Sequence, residues 1–162
     1  MSLDRDIALL SRIPIFGALS SEHLRLLAFS AVRRELATDE VLFRAGEPAQ
    51  SGFVVVSGEV ALIEGAGRQE KVEATCEPGS LIGELALFID TKRPATARAT
   101  RHAEVLEINR LLFSRMLNEY PHVAIRLRTL LSDRLTATVG ELARVRQVLQ
   151  RLELPKGRGN RA

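Results

Sequence analysis

The sequence has few of the residues that stabilise secreted or redox-active proteins. Its 162 residues include one cysteine and no tryptophan, and aromatic residues make up 4%. A single cysteine, Cys76, excludes an internal disulfide, and we expect it to be a small apolar strand residue. No apolar run approaches the roughly 20 residues needed to span a bilayer. These absences favour a cytoplasmic protein with one domain and an added helix.

The net charge of +3 is unevenly distributed along the chain. Residues 151–162 carry all of it, so residues 1–150 are neutral. A short basic segment of this kind is usually solvated, and we predict a basic, flexible tail over residues 154–162. The neutral body argues against nucleic-acid binding, and binding of DNA through the tail stays open as an alternative.

The segments at both ends of the first 120 residues have a helical pattern. Pro14 limits any helix before it, and Ser20 or Ser21 can cap a helix over EHLRLLAFSA. His23 lies in the first turn of this helix and is expected to be exposed. Asn109 can cap a second helix over NRLLFSRMLNEY.

From about residue 33 to residue 108 the pattern changes to short runs rich in Val, Ile, Phe and Thr, separated by glycine and proline. That spacing predicts antiparallel strands in a sandwich or barrel. The GAG sequence at 65–67 is a predicted hairpin turn. It is not a dinucleotide-binding loop, because position 70 is Glu rather than Gly and no βαβ unit follows.

Residues 121–153 are predicted to form one long helix, with Pro121 in its first turn. Its apolar residues recur at heptad a and d positions, with Thr138 in the remaining d position. The apolar members are Leu131, Leu135, Leu142, Val145, Leu149 and Leu152. A seam of about three heptads is too long to be buried against one small β domain. We expect it to pair with the same helix of a second subunit, which would give a homodimer.

The stretch GELALFIDTKRPATA, residues 83–97, is the candidate site. It combines a glycine, a carboxylate, a short apolar turn and an arginine, which indicates an acceptor and a cation directed at one small ligand. A structural ion pair between Glu84 and Arg93 is the alternative. The three histidines are scattered, and no metal-ligand or nucleophile–base arrangement is visible. We therefore predict no enzyme activity, no catalytic residue, no metal and no cofactor.

Three segments in this order resemble the cyclic nucleotide-binding domain, over roughly residues 10–140. IPIFGALSSEHLRLLA is similar to its lead-in, VLFRAGEPAQSGFVVVSGEV to its early strands and IGELALFIDTKRPATA to its phosphate-binding cassette. The resemblance implies a mainly β fold with flanking helices (α+β). That fold is an antiparallel double-stranded β-helix, or jelly roll, with N-terminal helices and a long C-terminal helix. Residues 1–120 would form the β-roll and its helices, and residues 121–153 the dimerisation helix.

The resemblance also implies the ligand, cAMP or cGMP, and the role of each cassette residue. A short helix beginning near Glu84 would direct the N–H groups of Leu85 and Ala86 at the phosphate, and Gly83 would permit close approach. Arg93 would bind the phosphate through paired, charge-assisted hydrogen bonds. Glu84 would accept a hydrogen bond from the ribose 2′-hydroxyl.

One cassette position departs from the family pattern, in which Ala, Ser or Thr usually follows the arginine. Pro94 stands there and has no N–H, so Ala95 or Thr96 would have to donate instead. Loss of one charge-assisted bond would weaken binding about tenfold to a hundredfold. Farther along the chain, Thr138 matches the adenine-contacting threonine of bacterial cAMP-receptor transcription factors. Setting the coiled-coil register is an equally good role for Thr138.

The expected function is therefore a cytoplasmic, stand-alone sensing module that acts on a separate, unknown protein partner. We expect no helix-turn-helix after the long helix, unlike in the transcription factors that the sequence resembles, and no transmembrane segments before the domain, unlike in the channels. The main alternative is a degenerate domain that keeps the fold for protein interaction and binds no nucleotide. Pro94 is the best support for that alternative.

Overall fold

The computed structural model describes residues 2–17, 19–125 and 127. Within them, antiparallel β-structure is flanked by helices that precede and follow it in the chain. The helices are α1 (Ser2–Ser11), α2 (Pro14–Gly17), α3 (Ser21–Ser30) and α4 (Arg110–Glu119), and residues 121–125 and 127 are also helical. The predicted fold class, mainly β with flanking helices, is confirmed.

Eight strands lie in the described part of the chain, all paired antiparallel. They are β1 (Val32–Leu36), β2 (Val41–Phe43), β3 (Pro48–Ala49), β4 (Ser51–Glu64), β5 (Lys71–Cys76), β6 (Leu81–Ile82), β7 (Thr91–Lys92) and β8 (Thr96–Asn109). The main sheet has the order β1-β8-β4-β5, β2 adds to β8, β6 adds to β4, and β3 pairs with β7 separately. These strands form a jelly roll and not a closed barrel.

Strands β4 and β8 are 14 residues each, longer than the short runs that the sequence pattern predicted. Their pairing extends from Ser51 opposite Asn109 to Ile63 opposite Thr96, with register shifts between Val55 and Val60. Register shifts let a long antiparallel pair bend and twist, so one pair can serve both halves of the roll. As a result, the start of β4 lies beside the end of β8.

The apolar core has two parts. One joins the helices to the cassette and includes Leu10, Phe16, Leu27, Leu87, Phe88 and Phe113. The other lies inside the roll and includes Phe43, Phe53, Val55, Val60 and Val105. Each buried side chain of this size contributes roughly 1.5–3 kcal/mol before entropy is counted. The apolar part of the cassette therefore packs between the helices and one face of β4 and β8, where Val54, Leu106 and Ile108 join the same cluster.

Both predicted helix caps are present, but the prediction for His23 is wrong. The Ser20 hydroxyl accepts from the His23 N–H at 3.3 Å, and Asn109 Oδ1 accepts from the Leu111 N–H at 2.7 Å. His23 is 7% exposed, because its ring lies 4.1 Å from the ring of Tyr120. The end of α4 returns onto the first turn of α3, a contact between distant segments that no local pattern reveals.

Several predictions fall mainly outside the described residues. These are the long helix over 121–153 with its seam, the role of Thr138 and the tail over 154–162. Among the residues that the structure does describe, no helix is long and apolar enough to cross a membrane. Cys76 ends β5 half-buried, and burial raises the pKa of its thiol.

Candidate ligand-binding site

The cassette begins with a left-handed glycine and a tight turn. Gly83 has φ 79° and ψ 39°, and Glu84–Leu87 form one 3-10 turn directly after it. The predicted short helix is confirmed as this four-residue turn. The Ala86 N–H donates to the Gly83 carbonyl at 3.1 Å. The amide of Leu85 precedes that first bond, so it has no acceptor within the turn itself.

Apolar packing fixes the turn against the helices. Ala86 and Leu87 are 1% and 0% exposed, and Leu85 is half-buried against the same core. At the far end of the turn, Arg110 Nη1 donates to the Ile89 carbonyl at 2.6 Å. The turn is thus fastened to α4 at one end and follows β6 at the other.

The backbone of Arg93 is fixed by the connection between β2 and β3. Its N–H donates to the Glu47 carbonyl at 2.8 Å, and the Gly46 N–H donates to the Arg93 carbonyl at 2.8 Å. Pairing of β3 with β7 brings Pro48 opposite Lys92, one residue before the arginine. These bonds direct the Arg93 side chain into the protein, where the residue is 6% exposed.

The Arg93 guanidinium lies where the turn, β2 and β4 meet. Its Nη2 donates to the Ser51 carbonyl at 2.9 Å. Its central carbon is 4.2 Å from the ring centroid of Phe43 and 5.4 Å from that of Phe53. A Cβ at position 83 would lie 2.6 Å from Arg93 Nη1, so only glycine permits this approach. Gly83 and Arg93 are therefore brought together as the sequence predicted.

The surroundings of this guanidinium hold it without cancelling its charge. A carbonyl and two aromatic rings are neutral contacts. Burial lowers the pKa of Arg93, and the negative charges of Glu107 and Glu47 act in the opposite direction. Burying a cation is costly; these two carboxylates offset part of that cost, and a bound anion would offset more of it.

The predicted site residues after Arg93 differ in exposure and in their contacts. Pro94 is exposed and Ala95 is buried. Thr96 opens β8, and its hydroxyl accepts from the Ala45 N–H at 3.0 Å, which ties the end of the cassette to the turn after β2. Thr138 lies outside the described residues. Within those residues, no cluster of three or more His, Cys, Asp or Glu side chains could hold a metal ion.

Sequence reasoning missed the residues that hold Arg93. Ser51 contributes a backbone carbonyl, which no residue type signals, and Phe43 and Phe53 match ordinary core positions of strands. Ser51 is itself fixed, because its hydroxyl donates to Glu107 Oε2 at 2.7 Å while Arg34 Nη1 donates to Glu107 Oε1 at 3.3 Å. Glu107 alternates with apolar residues along β8, as a solvent-facing glutamate of any strand does, so the sequence does not mark it as part of this network.

A jelly roll that keeps a buried arginine beside a glycine-led turn is the arrangement of a regulatory ligand-binding domain. The sequence model of the cyclic nucleotide-binding domain matches residues 33–120, which is more than half of the chain. The protein therefore belongs to this family, as the resemblance of its three sequence segments predicted.

Similar proteins include regulators and a part of one enzyme. The structure of the N-terminal domain of a transcriptional regulator from Streptomyces coelicolor is 30% identical with a TM-score of 0.68, over 93% of this chain and 99% of that one. The cyclic AMP receptor protein of Thermus thermophilus is 32% identical over 75% of this chain and 57% of its own length. Lysophospholipase NTE1 of Pyricularia oryzae is 30% identical over 63% of this chain, and the matched segment is 7% of that enzyme's length.

Proposed function

We propose that the protein binds a cyclic purine nucleotide in the cassette, with cAMP favoured over cGMP. The observation that carries the proposal is Arg93, a buried cation whose neutral contacts leave its charge for an anion. A cyclic phosphodiester carries one negative charge, which matches one guanidinium. The name of the Thermus relative, a cyclic AMP receptor protein, supports cAMP as the ligand.

Arg93 would hold the phosphate with two N–H groups, and the turn would add backbone donors. The Leu85 N–H is available in the turn geometry, whereas the Ala86 N–H would have to share its bond to Gly83. Glu84 would accept from the ribose 2′-hydroxyl.

Beyond Arg93, the cassette would depend on residues after the proline. Pro94 offers no N–H, so Ala95 or Thr96 would supply the last donor from its backbone. The Thr96 hydroxyl accepts from the Ala45 N–H, and its own O–H is a further donor beside the backbone amide. Thr138 would contact the purine if the long helix reaches the site.

The role that we propose for this binding is regulatory. Members of this family act as regulatory domains, and the match to a lysophospholipase spans only 7% of that enzyme, so its activity is not carried over. Nucleotide binding would change the conformation of a homodimer joined through residues 121–153 and would be sensed by a separate protein partner. The cytoplasmic location stays a prediction.

Isothermal titration calorimetry with cAMP and cGMP tests the proposal directly. Arg93→Ala should lose at least tenfold in affinity, because it removes the cassette's phosphate cation. Arg98→Ala is the matched control, since Arg98 lies on β8 and pairs with Glu70 at 3.1 Å on the surface. Equal affinity in Arg93→Ala and wild type would refute the assigned site.

The degenerate domain remains the second candidate, because Pro94 removes one donor from the cassette. A flat titration of wild type with both nucleotides, up to millimolar concentration, would favour that candidate. DNA binding through residues 154–162 would appear as salt-dependent retention on DNA, which is not expected for a neutral body.

A further inference from the structure

We propose that Phe43 and Phe53 are positioning residues that hold Arg93 ready for an anion, with Phe43 the stronger of the two. The proposal rests on the proposed function for its effect on nucleotide affinity. Its effect on the arginine itself can be measured without any nucleotide.

The distances identify the contact as a cation–π interaction. The central carbon of the Arg93 guanidinium is 4.2 Å from the ring centroid of Phe43 and 5.4 Å from that of Phe53. Both values lie within the roughly 6 Å over which a ring face attracts a cation. The two rings are 5.8 Å apart and tilted by 34° from each other, so they form one aromatic wall.

Aromatic rings suit a phosphate-binding arginine better than a carboxylate would. A carboxylate would bond the N–H groups at the edge of the guanidinium and would have to be displaced by the phosphate. A ring attracts the cation through the face of the guanidinium and leaves the edge N–H groups for an acceptor. The Ser51 carbonyl takes one of these groups, on Nη2.

Glu107, one of the two carboxylates whose charge acts on Arg93, is hydrogen-bonded to other side chains. Glu107 accepts from Ser51 Oγ at 2.7 Å and from Arg34 at 3.3 Å, so it supports Arg93 through Ser51 and by charge. The aromatic wall therefore acts beside the Ser51 carbonyl as a direct contact that keeps the arginine side chain buried in the free protein. Without it, the guanidinium would gain hydration by moving toward water, and binding would have to bring it back.

A series of fluorinated phenylalanines at position 43 tests this proposal. Mono-, di- and trifluorinated rings keep nearly the same shape but progressively weaken the negative face. We expect the affinity for cAMP to fall stepwise, by about threefold to tenfold over the series, because a cation–π contact of this burial is worth about 0.7–1.4 kcal/mol. The same series at Phe113, a fully buried ring in the helical core, should leave affinity unchanged.

A second measurement follows Arg93 in the nucleotide-free protein by NMR. The ring current should move the Arg93 Hε resonance upfield, and Phe43→Leu should return it toward the random-coil position. Arg93→Lys assigns the resonance by its disappearance. Phe53→Leu should shift the resonance less, because the ring of Phe53 lies farther from the guanidinium than the ring of Phe43.

The two measurements separate failure of this proposal from failure of the proposed function. If wild type binds neither nucleotide, the proposed function fails. The Arg93 resonance then tests by itself whether the aromatic wall holds the arginine. An Arg93 resonance at the random-coil position in wild type would overturn the proposal. So would nucleotide affinity that stays flat or rises along the fluorinated series at position 43 in a protein that binds cAMP.

Discussion

Replacing Gly83 with alanine tests whether Arg93 must lie where the structure has it. Alanine in the left-handed region costs about 1–2 kcal/mol of stability. The added methyl would also lie 2.6 Å from Arg93 Nη1, so the guanidinium would have to move. Moving it breaks the 2.9 Å bond to the Ser51 carbonyl, which is worth about 1.5–3 kcal/mol for a charged donor. The return of a buried cation to water offsets much of that loss in stability, but not the loss in affinity.

We therefore expect Gly83→Ala to lower the free energy of unfolding by about 1–2 kcal/mol and to weaken nucleotide binding at least tenfold. Urea unfolding and calorimetry measure the two effects. Gly67→Ala is the matched control. Gly67 has φ 59°, and among the described residues no atom lies within 4 Å of its added Cβ. This control carries the same backbone strain without the contact to the arginine.

A double-mutant cycle with Arg93→Ala isolates the arginine contact. In that background the added methyl at position 83 meets no guanidinium, so Gly83→Ala should cost no further affinity and about as much stability as Gly67→Ala. Tight binding by Gly83→Ala, within about twofold of wild type, would refute the reasoning, as would losses in affinity that simply add.

Three further predictions concern other parts of the molecule. Pro94→Ala should raise nucleotide affinity in calorimetry, because it restores an N–H beside the phosphate; unchanged affinity at unchanged stability would mean that the loop already compensates. Leu142→Lys with Leu149→Lys should convert a dimer to monomers in light scattering, since like charges would meet in the seam, and a wild type that is already monomeric at tens of micromolar would contradict this. Asp6→Asn should lower the free energy of unfolding in urea by about 1–2 kcal/mol, because the buried carboxylate accepts from Arg33 at 2.6 and 2.8 Å; a loss below about 0.3 kcal/mol would show that the pairing of Arg33 with Glu104 is enough.

The features that the sequence determined by itself are local ones. Ser20 and Asn109 cap their helices because a short side chain accepts from an amide two or three residues later, whatever surrounds it. Gly83 precedes the cassette turn because few other residues adopt its backbone angles. The short apolar runs and turn residues between positions 33 and 108 are also local patterns, and they predicted antiparallel strands. They did not predict the lengths of β4 and β8.

The cassette was recognisable because Gly83, Glu84 and Arg93 follow one another closely in the chain. Their spacing identified the site without knowledge of what lies around it. The local pattern could also register the departure at Pro94, since a missing N–H is a property of the residue itself.

The contacts of Arg93 were decided only by the tertiary structure. Ser51 and Phe43 are more than forty residues away in the chain, and pairing of β4 and β8 and of β3 and β7 brings them to the arginine. The burial of His23 against Tyr120 depends in the same way on two helices meeting. The type of a residue determines which interactions its side chain can make, but strand register and helix packing determine which distant groups it meets. For Arg93, strand pairing determines that aromatic rings and a backbone carbonyl contact the guanidinium.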